Sequence, residues 1–354
     1  MDGTVRVVVL GTGQMGSGII KLLLHKQGID LVGVYGRRAQ RVGMDVGRAL
    51  GLARDLGLQI THDLPGLLAH TQPHVVMQAT CSRVVEAVDE ITTSLDSGAN
   101  VISIAEEMAY PAYQAPHIAA ALHQRAVANQ VTVVGTGINP GFVLDLLVIA
   151  LTGVCCTVES ITAQRINDLS PYGPSVLRSQ GVGLTPEAFD RGVAEGSVVG
   201  HVGFPESISM IARALAWTID RIEQHRAPII AHVRRDTPFV RIAPGHTAGC
   251  LHTAVAYRNG TPVITLIHPQ QVHPHLEHVA TGDSIDIDGE PQVHFASSPE
   301  IPGGIGTVAL AVNMIPQVMN AAPGLTSMAA LPVPAAIMGD IRTLIRDQRG
   351  KALR

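Results

Sequence analysis

Two adjacent carboxylates, Glu106 and Glu107, stand directly behind the apolar run Val101–Ala105, in Ala105-Glu106-Glu107-Met108-Ala109-Tyr110-Pro111. At the carboxyl end of a strand in an open α/β sheet, side chains face the crevice where ligands bind. A carboxyl group there can hold a cationic amine and carry its proton as general acid or base. Neighbouring residues of an extended chain face opposite ways, so one of the two is expected to enter the site. The residues alone do not choose between them, and a solvated turn or helix cap is the plain alternative for the pair.

A second group of residues points to what would sit beside such a carboxylate. Gly11-Thr12-Gly13-Gln14-Met15-Gly16 follows the continuous β-branched run Val5–Leu10. A strand that turns on glycines into a helix brings backbone amides and a helix N-terminus to a pyrophosphate. The next apolar run, Leu31–Tyr35, ends in Gly36-Arg37-Arg38. A site that prefers NAD usually keeps an acid here for the ribose 2′-hydroxyl, whereas Arg binds a 2′-phosphate with a planar charged fork. Gly36, Arg37 and Arg38 therefore predict NADP(H), against the alternative of a solvated basic turn.

Further along, Ala79 and Thr80 end the run Val75–Ala79, where they would line the dinucleotide. Gly135-Thr136-Gly137-Ile138-Asn139-Pro140-Gly141 is a backbone-rich turn in which Asn139 offers an amide to cofactor or substrate. Arg165 and Asn167 share one face of an alternating strand and could anchor a carboxylate. A structural ion pair between Arg165 and Asp168 is the competing reading. The stretch His268–His278 matches no compact metal-ligand spacing and is broken by Pro269 and Pro274, so no metal is expected. Its histidines read as surface loop residues except His268, which ends a strand; His201 and His246 read as isolated and structural.

Composition narrows the chemistry. The 354 residues are 46% hydrophobic and 15% charged, with a net charge of −4, which argues for compact domains and against a nucleic-acid partner. No run approaches a membrane span, and the chain enters its first strand at once, so neither a membrane nor a signal peptide is expected. Cys81, Cys155, Cys156 and Cys250 form no disulfide pattern, which fits a cytoplasmic setting. Lysine occurs only at positions 21, 26 and 351, so a Schiff-base lysine in the middle of the chain is excluded.

The elements that must position these residues alternate through the first third. Strand candidates are Val5–Leu10, Leu31–Tyr35, Val75–Ala79, Val101–Ala105 and Val131–Gly135, with helices over Ser17–Gln27, Val84–Ser97 and Pro116–Asn129. The pattern predicts an α/β fold, a doubly wound parallel sheet of Rossmann type. A helix over Phe142–Leu151 leads into strands that alternate polar with apolar, Val158–Ile166 and Val263–Ile267, as in a mixed sheet. Asn259-Gly260 marks a hairpin, Ser284–Gly289 alternates and turns, and a helix is expected over Pro205–Ile222. The expected division is a nucleotide domain over 1–140, completed by helices in 307–354, and an α+β substrate-binding and dimerisation domain over 141–306.

With these residues in view, the chain resembles the 2,4-diaminopentanoate dehydrogenases and related native amine dehydrogenases from end to end. The most specific segments are Ile104–Pro111, Gly135–Asp145, Arg165–Gly183 (RINDLSPYGPSVLRSQGVG), Gly200–Glu206 (GHVGFPE) and Pro302–Thr307 (PGGIGT). The resemblance implies a homodimeric enzyme that reversibly deaminates a small amine to a ketone and ammonia. It implies a catalytic glutamate at Glu106 or Glu107 and a substrate pocket of Asn139, Leu144, Arg165, Asn167, Tyr172, His268 and Thr307. Relatives differ between NAD and NADP. A homoserine-dehydrogenase-like alcohol oxidoreductase would need lysines that are missing here, one of them where Glu106 stands. A dihydrodipicolinate-reductase-like activity lacks its His-His and Lys motif. A non-catalytic NADP(H)-binding sensor is the alternative of another class.

Overall fold

The computed structural model describes residues 3–346. The chain up to Phe142 and the chain from Gly303 onward form one compact unit, and Val143–Pro302 form a second.

The first unit is built on a wholly parallel sheet. Its strands are β1 (Val5–Leu10), β2 (Ile29–Tyr35), β3 (Ile60–Thr61), β4 (Val75–Gln78), β5 (Asn100–Ser103) and β6 (Thr132–Gly135). With the late strand β15 (Gly324–Thr326) they run in the order β15-β6-β5-β4-β1-β2-β3. Five of the six residues of β1 are fully buried, which requires cover on both faces. The helices of this unit are α1 (Gln14–Leu23), α2 (Val46–Ala49), α3 (Leu64–Thr71), α4 (Val84–Asp96) and α5 (Pro116–Ala128). Ile91 and Leu95 of α4 and Leu122 of α5 pack on Val8, Val76, Val101 and Val133, the side chains of one sheet face.

The chain then forms the second unit. Its helices are α6 (Leu146–Thr152), α7 (Pro174–Ser179), α8 (Pro186–Glu195) and α9 (Phe204–Ala214). Its strands are β7 (Thr157–Asp168), β8 (Arg221–Ile230), the short pair β9 (Arg235–Asp236) and β10 (Arg241–Ile242), β11 (Thr247–Arg258), β12 (Thr261–Gln271), β13 (Gly282–Glu290) and β14 (Val293–Ser297). Six of them make a sheet in the order β14-β13-β7-β12-β11-β8. Only β7 and β12 pair in parallel, so the sheet is mixed. Asn259 (φ 50°) and Gly260 (φ 74°) turn β11 into β12, the left-handed pair that a two-residue hairpin demands. The first unit is then completed by α10 (Gly303–Asn313), α11 (Ile315–Met319) and β15. A Cβ on Gly18 of α1 would stand 2.7 Å from Val308 of α10, so these two helices pack closely.

Several boundaries differ from those expected. Helix α1 begins at Gln14 rather than Ser17, because the turn ends at Gly13, which serves as the helix N-cap. The helix expected over Pro205–Ile222 stops at Ala214, after which Ala216 takes a left-handed conformation and the chain enters β8. The helix expected over Phe142–Leu151 starts only at Leu146, where Asp145 caps it. The first of the helices expected in 307–354 starts earlier, at Gly303, and divides after Asn313 ahead of Pro316. The final part of the helices expected over 307–354 is instead strand β15 and two 3-10 turns up to Leu344; residues 347–354 lie outside the described residues.

Candidate active site

The three glycines of the first turn meet three different demands. Gly11 has φ 114°, and a Cβ there would stand 2.4 Å from the Ala79 carbonyl oxygen, so the end of β4 presses on the turn. A Cβ on Gly16 would stand 2.1 Å from the Gly11 carbonyl oxygen, so α1 can leave the turn at this angle only without a side chain. Gly13 has nothing within 4 Å of such a Cβ. It caps a ten-residue helix with no side-chain bond to the first turn. Open space over a helix N-terminus is what a dinucleotide pyrophosphate requires, and these residues fit it.

Beside the turn lies a cavity of about 430 Å³, lined among others by Gly13, Gln14, Ser17, Lys21, Arg38 and Arg41. Arg41 donates to the Thr12 carbonyl oxygen, which fixes it against the turn. Gly36 leaves room at the end of β2, where a Cβ would crowd Ile60 at 3.1 Å. Arg37 does not share this cavity. Its Nε donates to Glu90 Oε1 at 2.7 Å and its Nη2 to the Glu86 carbonyl oxygen at 2.8 Å. Glu90 is only 6% exposed, and a buried carboxylate needs a cation more than a half-exposed arginine needs a free ligand. The expectation that Arg37 and Arg38 act together is corrected accordingly. Lys21 and Arg41 are the cations that sequence reasoning missed; Lys21 lies one helical turn beyond Ser17, a spacing that could have marked it.

Thr80, half-buried at the end of β4, donates its hydroxyl to Glu90 Oε2 at 2.5 Å. The two carboxylates after β5 lie on a 3-10 turn, Glu106–Ala109. Glu107 is buried, and its Oε2 accepts the Val84 N–H at 2.8 Å, the first backbone donor of α4. It caps α4 from outside the helix. Glu106 has no such duty. Burial pushes its carboxyl up to about 7; the Glu107 charge acts in the same direction, while its own backbone amide and the Ser82 hydroxyl oppose it.

The turn is pinned from beneath. A Cβ on Gly135, at the end of β6, would stand 2.0 Å from the Met108 carbonyl oxygen. The following loop folds on Gly141 (φ 127°), and Ile138 N–H donates to Thr307 Oγ1 at 3.1 Å. Thr307 thus supports the loop that carries Asn139, which is half-buried.

In the second unit Leu144 is fully buried. Arg165 is 2% exposed and pairs with Asp283 Oδ1 at 2.7 Å, while its Nη2 donates to the Ile301 carbonyl oxygen. The alternative pairing with Asp168 does not form. Asp283 stands directly opposite Arg165 in the β7–β13 register, and Asp168 accepts instead from Ser170 and from His273 N–H. Asn167 Oδ1 lies 3.0 Å from His268 Nε2. His268 stacks edge-on with His201 at 5.0 Å, and His201 lies 4.8 Å from Phe204. His252, opposite His268 in the β11–β12 register, accepts the His201 N–H at 3.0 Å. His201 is therefore part of a cluster rather than isolated.

Burial keeps these imidazoles neutral, His201 pushed down to about 3, His252 to about 2, and His268 well below its ordinary value. Neutral His268 can then donate from Nε2 to Asn167. Burial likewise raises the Tyr172 phenol, so it stays protonated. The period-two alternation of β11 and β12 carried the signal for the His252–His268 pair, but the register linking them was not readable. Asp168, His273 and His275 bring three possible metal-ligating atoms within 4.8 Å of one another. Both ring nitrogens of His273 are engaged, by Ser170 Oγ at 2.8 Å and the Asp236 carbonyl oxygen at 2.9 Å.

A family model described as the 2,4-diaminopentanoate dehydrogenase C-terminal domain matches residues 142–347. The 2,4-diaminopentanoate dehydrogenase of Acetoanaerobium sticklandii is 45% identical over 346 residues, covering 97% of this chain and 98% of its own. The chain belongs to the 2,4-diaminopentanoate dehydrogenase family. It is an oxidoreductase acting on CH–NH2 groups. An amine dehydrogenase of Streptomyces virginiae is 27% identical, with 94% of this chain and 98% of that one covered. The solved structure of an amine dehydrogenase from Mycobacterium smegmatis superposes with a TM-score of 0.84 at 26% identity, covering 94% and 97% of the two chains. A second family model, the dihydrodipicolinate reductase N-terminus, matches residues 5–103 only, within the parallel-sheet unit.

The Glu106 environment makes stability depend on pH in this 2,4-diaminopentanoate dehydrogenase family member. The folded carboxyl titrates near 7 against 4.5 for the ordinary group, so between those values the folded chain holds the extra proton. Its contribution to stability is therefore lost as pH rises through that window. Denaturant unfolding should show Glu106→Gln gaining on the native protein by on the order of 2 kcal/mol between pH 5 and pH 8. A stability difference that stays constant with pH would contradict the assignment.

Proposed function

We propose that this chain is an NADP(H)-preferring amine dehydrogenase that interconverts a small aliphatic amine or a 2,4-diaminopentanoate-like substrate with the ketone and ammonia. The observation that carries the reading is the pair of adjacent glutamates with divided duties. Glu107 is consumed as the cap of α4, and Glu106 is left with a carboxyl near neutrality on a turn at the carboxyl edge of the sheet. A general acid and base works best when its pKa lies near the working pH.

The chemistry follows from residue types. When bound, the nicotinamide cofactor supplies the hydride for amination and accepts it for deamination. Backbone amides at Gly11-Thr12-Gly13-Gln14-Met15-Gly16 hold its pyrophosphate, and Lys21, Arg38 and Arg41 supply the positive charge for a 2′-phosphate. Ala79 and Thr80 border the same edge of the sheet. Ionised Glu106 takes a proton from ammonium, freeing the nitrogen to add to the ketone. Protonated Glu106 returns that proton to the hydroxyl leaving the carbinolamine, and its charge then steadies the iminium. No lysine lies between residues 27 and 350, and the nitrogen donor in this reading is free ammonia.

By family likeness, the second unit supplies substrate-binding residues and the subunit contact of a homodimer. Within the second unit, Leu144, Arg165, Asn167, Tyr172 and His268 take substrate-side roles by the same likeness. Arg165 is already neutralised by Asp283, which favours it as a hydrogen-bond donor over a free carboxylate receptor. Neutral His268 and Asn167 make an uncharged polar pair suited to a hydroxyl, carbonyl or amine.

Two measurements test this reading. With a panel of ketones and keto acids, ammonium and NADPH, Glu106→Gln should lower kcat by about 10²–10⁴-fold, whereas Glu107→Gln should act mainly on thermal stability. Near-full amination by Glu106→Gln would overturn the role. Separately, Arg38→Ala should raise KM for NADPH by about tenfold and leave KM for NADH nearly unchanged. Equal wild-type efficiency with both cofactors would remove the 2′-phosphate assignment.

A further inference from the structure

The carboxyl edge of the parallel sheet carries an unbroken chain of hydrogen bonds between side chains of three elements and the backbone that precedes Glu106. Ala105 N–H donates to Ser103 Oγ at 3.1 Å. Ser103 Oγ–H donates to Gln78 Oε1 at 2.5 Å. Gln78 Nε2 donates to Thr80 Oγ1 at 2.7 Å, and Thr80 Oγ–H donates to Glu90 Oε2 at 2.5 Å. Arg37 closes the far end on Glu90 Oε1 at 2.7 Å. Ser103 and Gln78 are fully buried, and Glu90 nearly so.

The direction of the chain is fixed by donor arithmetic. Ionised Glu90 only accepts, so the Thr80 hydroxyl must point at it and must accept from behind. Gln78 then presents its NH2 to Thr80 and its oxygen to Ser103, and Ser103 is left to accept from Ala105. Each hydroxyl donates once and accepts once, in one sense, toward a single charge. Such a chain strengthens its members, and a buried link without its partner is costly. Helix α4 meets this edge of the sheet at two points, through Glu90 in its body, which accepts from Thr80, and through Val84 at its start, which donates to Glu107 on the turn itself.

We propose that Ser103 and Gln78 are positioning residues for the amine chemistry, holding through Ala105 the turn that presents Glu106, with Glu90 and Arg37 as the anchor of the chain. The proposal rests on the reading of Glu106 as proton carrier. It also explains why Arg37 serves the carboxylate: without it Glu90 would be a buried charge facing the Thr80 hydroxyl.

Ser103→Ala, Gln78→Met and their combination test it in the full-length enzyme, beside Glu106→Gln. Both single variants should lower kcat by about tenfold or more, since a displaced catalytic group loses its alignment. The dissociation constant for NADPH, read by fluorescence titration, should stay within about twofold. Ser103→Thr, which keeps the hydroxyl, should restore kcat. The double variant should be little worse than either single one, because both cut one chain. If Ser103→Ala is insoluble, Gln78→Met carries the same test. A soluble variant with kcat within about twofold of wild type, while Glu106→Gln is inactive, overturns the positioning role; so does strict additivity. If Glu106→Gln keeps its kcat, the reading of Glu106 itself fails and the positioning role falls with it.

Discussion

The hydrogen bond from Val84 N–H to the Glu107 carboxylate decides how two neighbouring acids are used. A helix N-terminus offers unpaired donors and a partial positive charge, and Glu107 satisfies both. Glu106, one residue earlier on the same turn, is left partly buried with the charge of Glu107 beside it. The turn cannot drift, because Gly135 lets the Met108 carbonyl lie against β6 and Ser103 holds Ala105. One cap, one glycine and one serine therefore hold the turn that carries both carboxyl groups.

The same economy of charge runs through both units. Buried Glu90 has Arg37, and buried Arg165 has Asp283, each at 2.7 Å. The imidazoles of His201, His252 and His268 are kept neutral by burial and contribute polarity without charge. On the cofactor side, Lys21, Arg38 and Arg41 line a cavity beside the glycine turn. Cations gather where a phosphate is proposed, and the half-buried Glu106 carboxyl is pushed up to about 7.

Local signals in the sequence were legible, and long-range pairings were not. The glycine turn, the parallel sheet of the first unit and the Asn259-Gly260 hairpin follow from local chemistry, and the structure places them as read. The choice between Glu106 and Glu107 depends on α4, whose first turn arrives from residues more than twenty positions earlier in the chain. Arg37 and Arg38 look equivalent as neighbours, yet a buried acid on α4 claims one of them. Arg165 found its partner 118 residues away, while the nearby Asp168 was taken by a turn. Strands β3 and β15 are two and three residues long, too short for any periodicity to announce them.

The central claim is that Glu106 is a carboxyl group held near neutrality by its surroundings. Infrared difference spectroscopy across a pH titration, wild type against Glu106→Gln, observes that group directly through its protonated C=O stretch. The account predicts one carboxyl band that is present in the wild type, absent in the variant, and lost with a midpoint at about 7. A band missing from both proteins above about pH 5, the range of an ordinary glutamate, would contradict it.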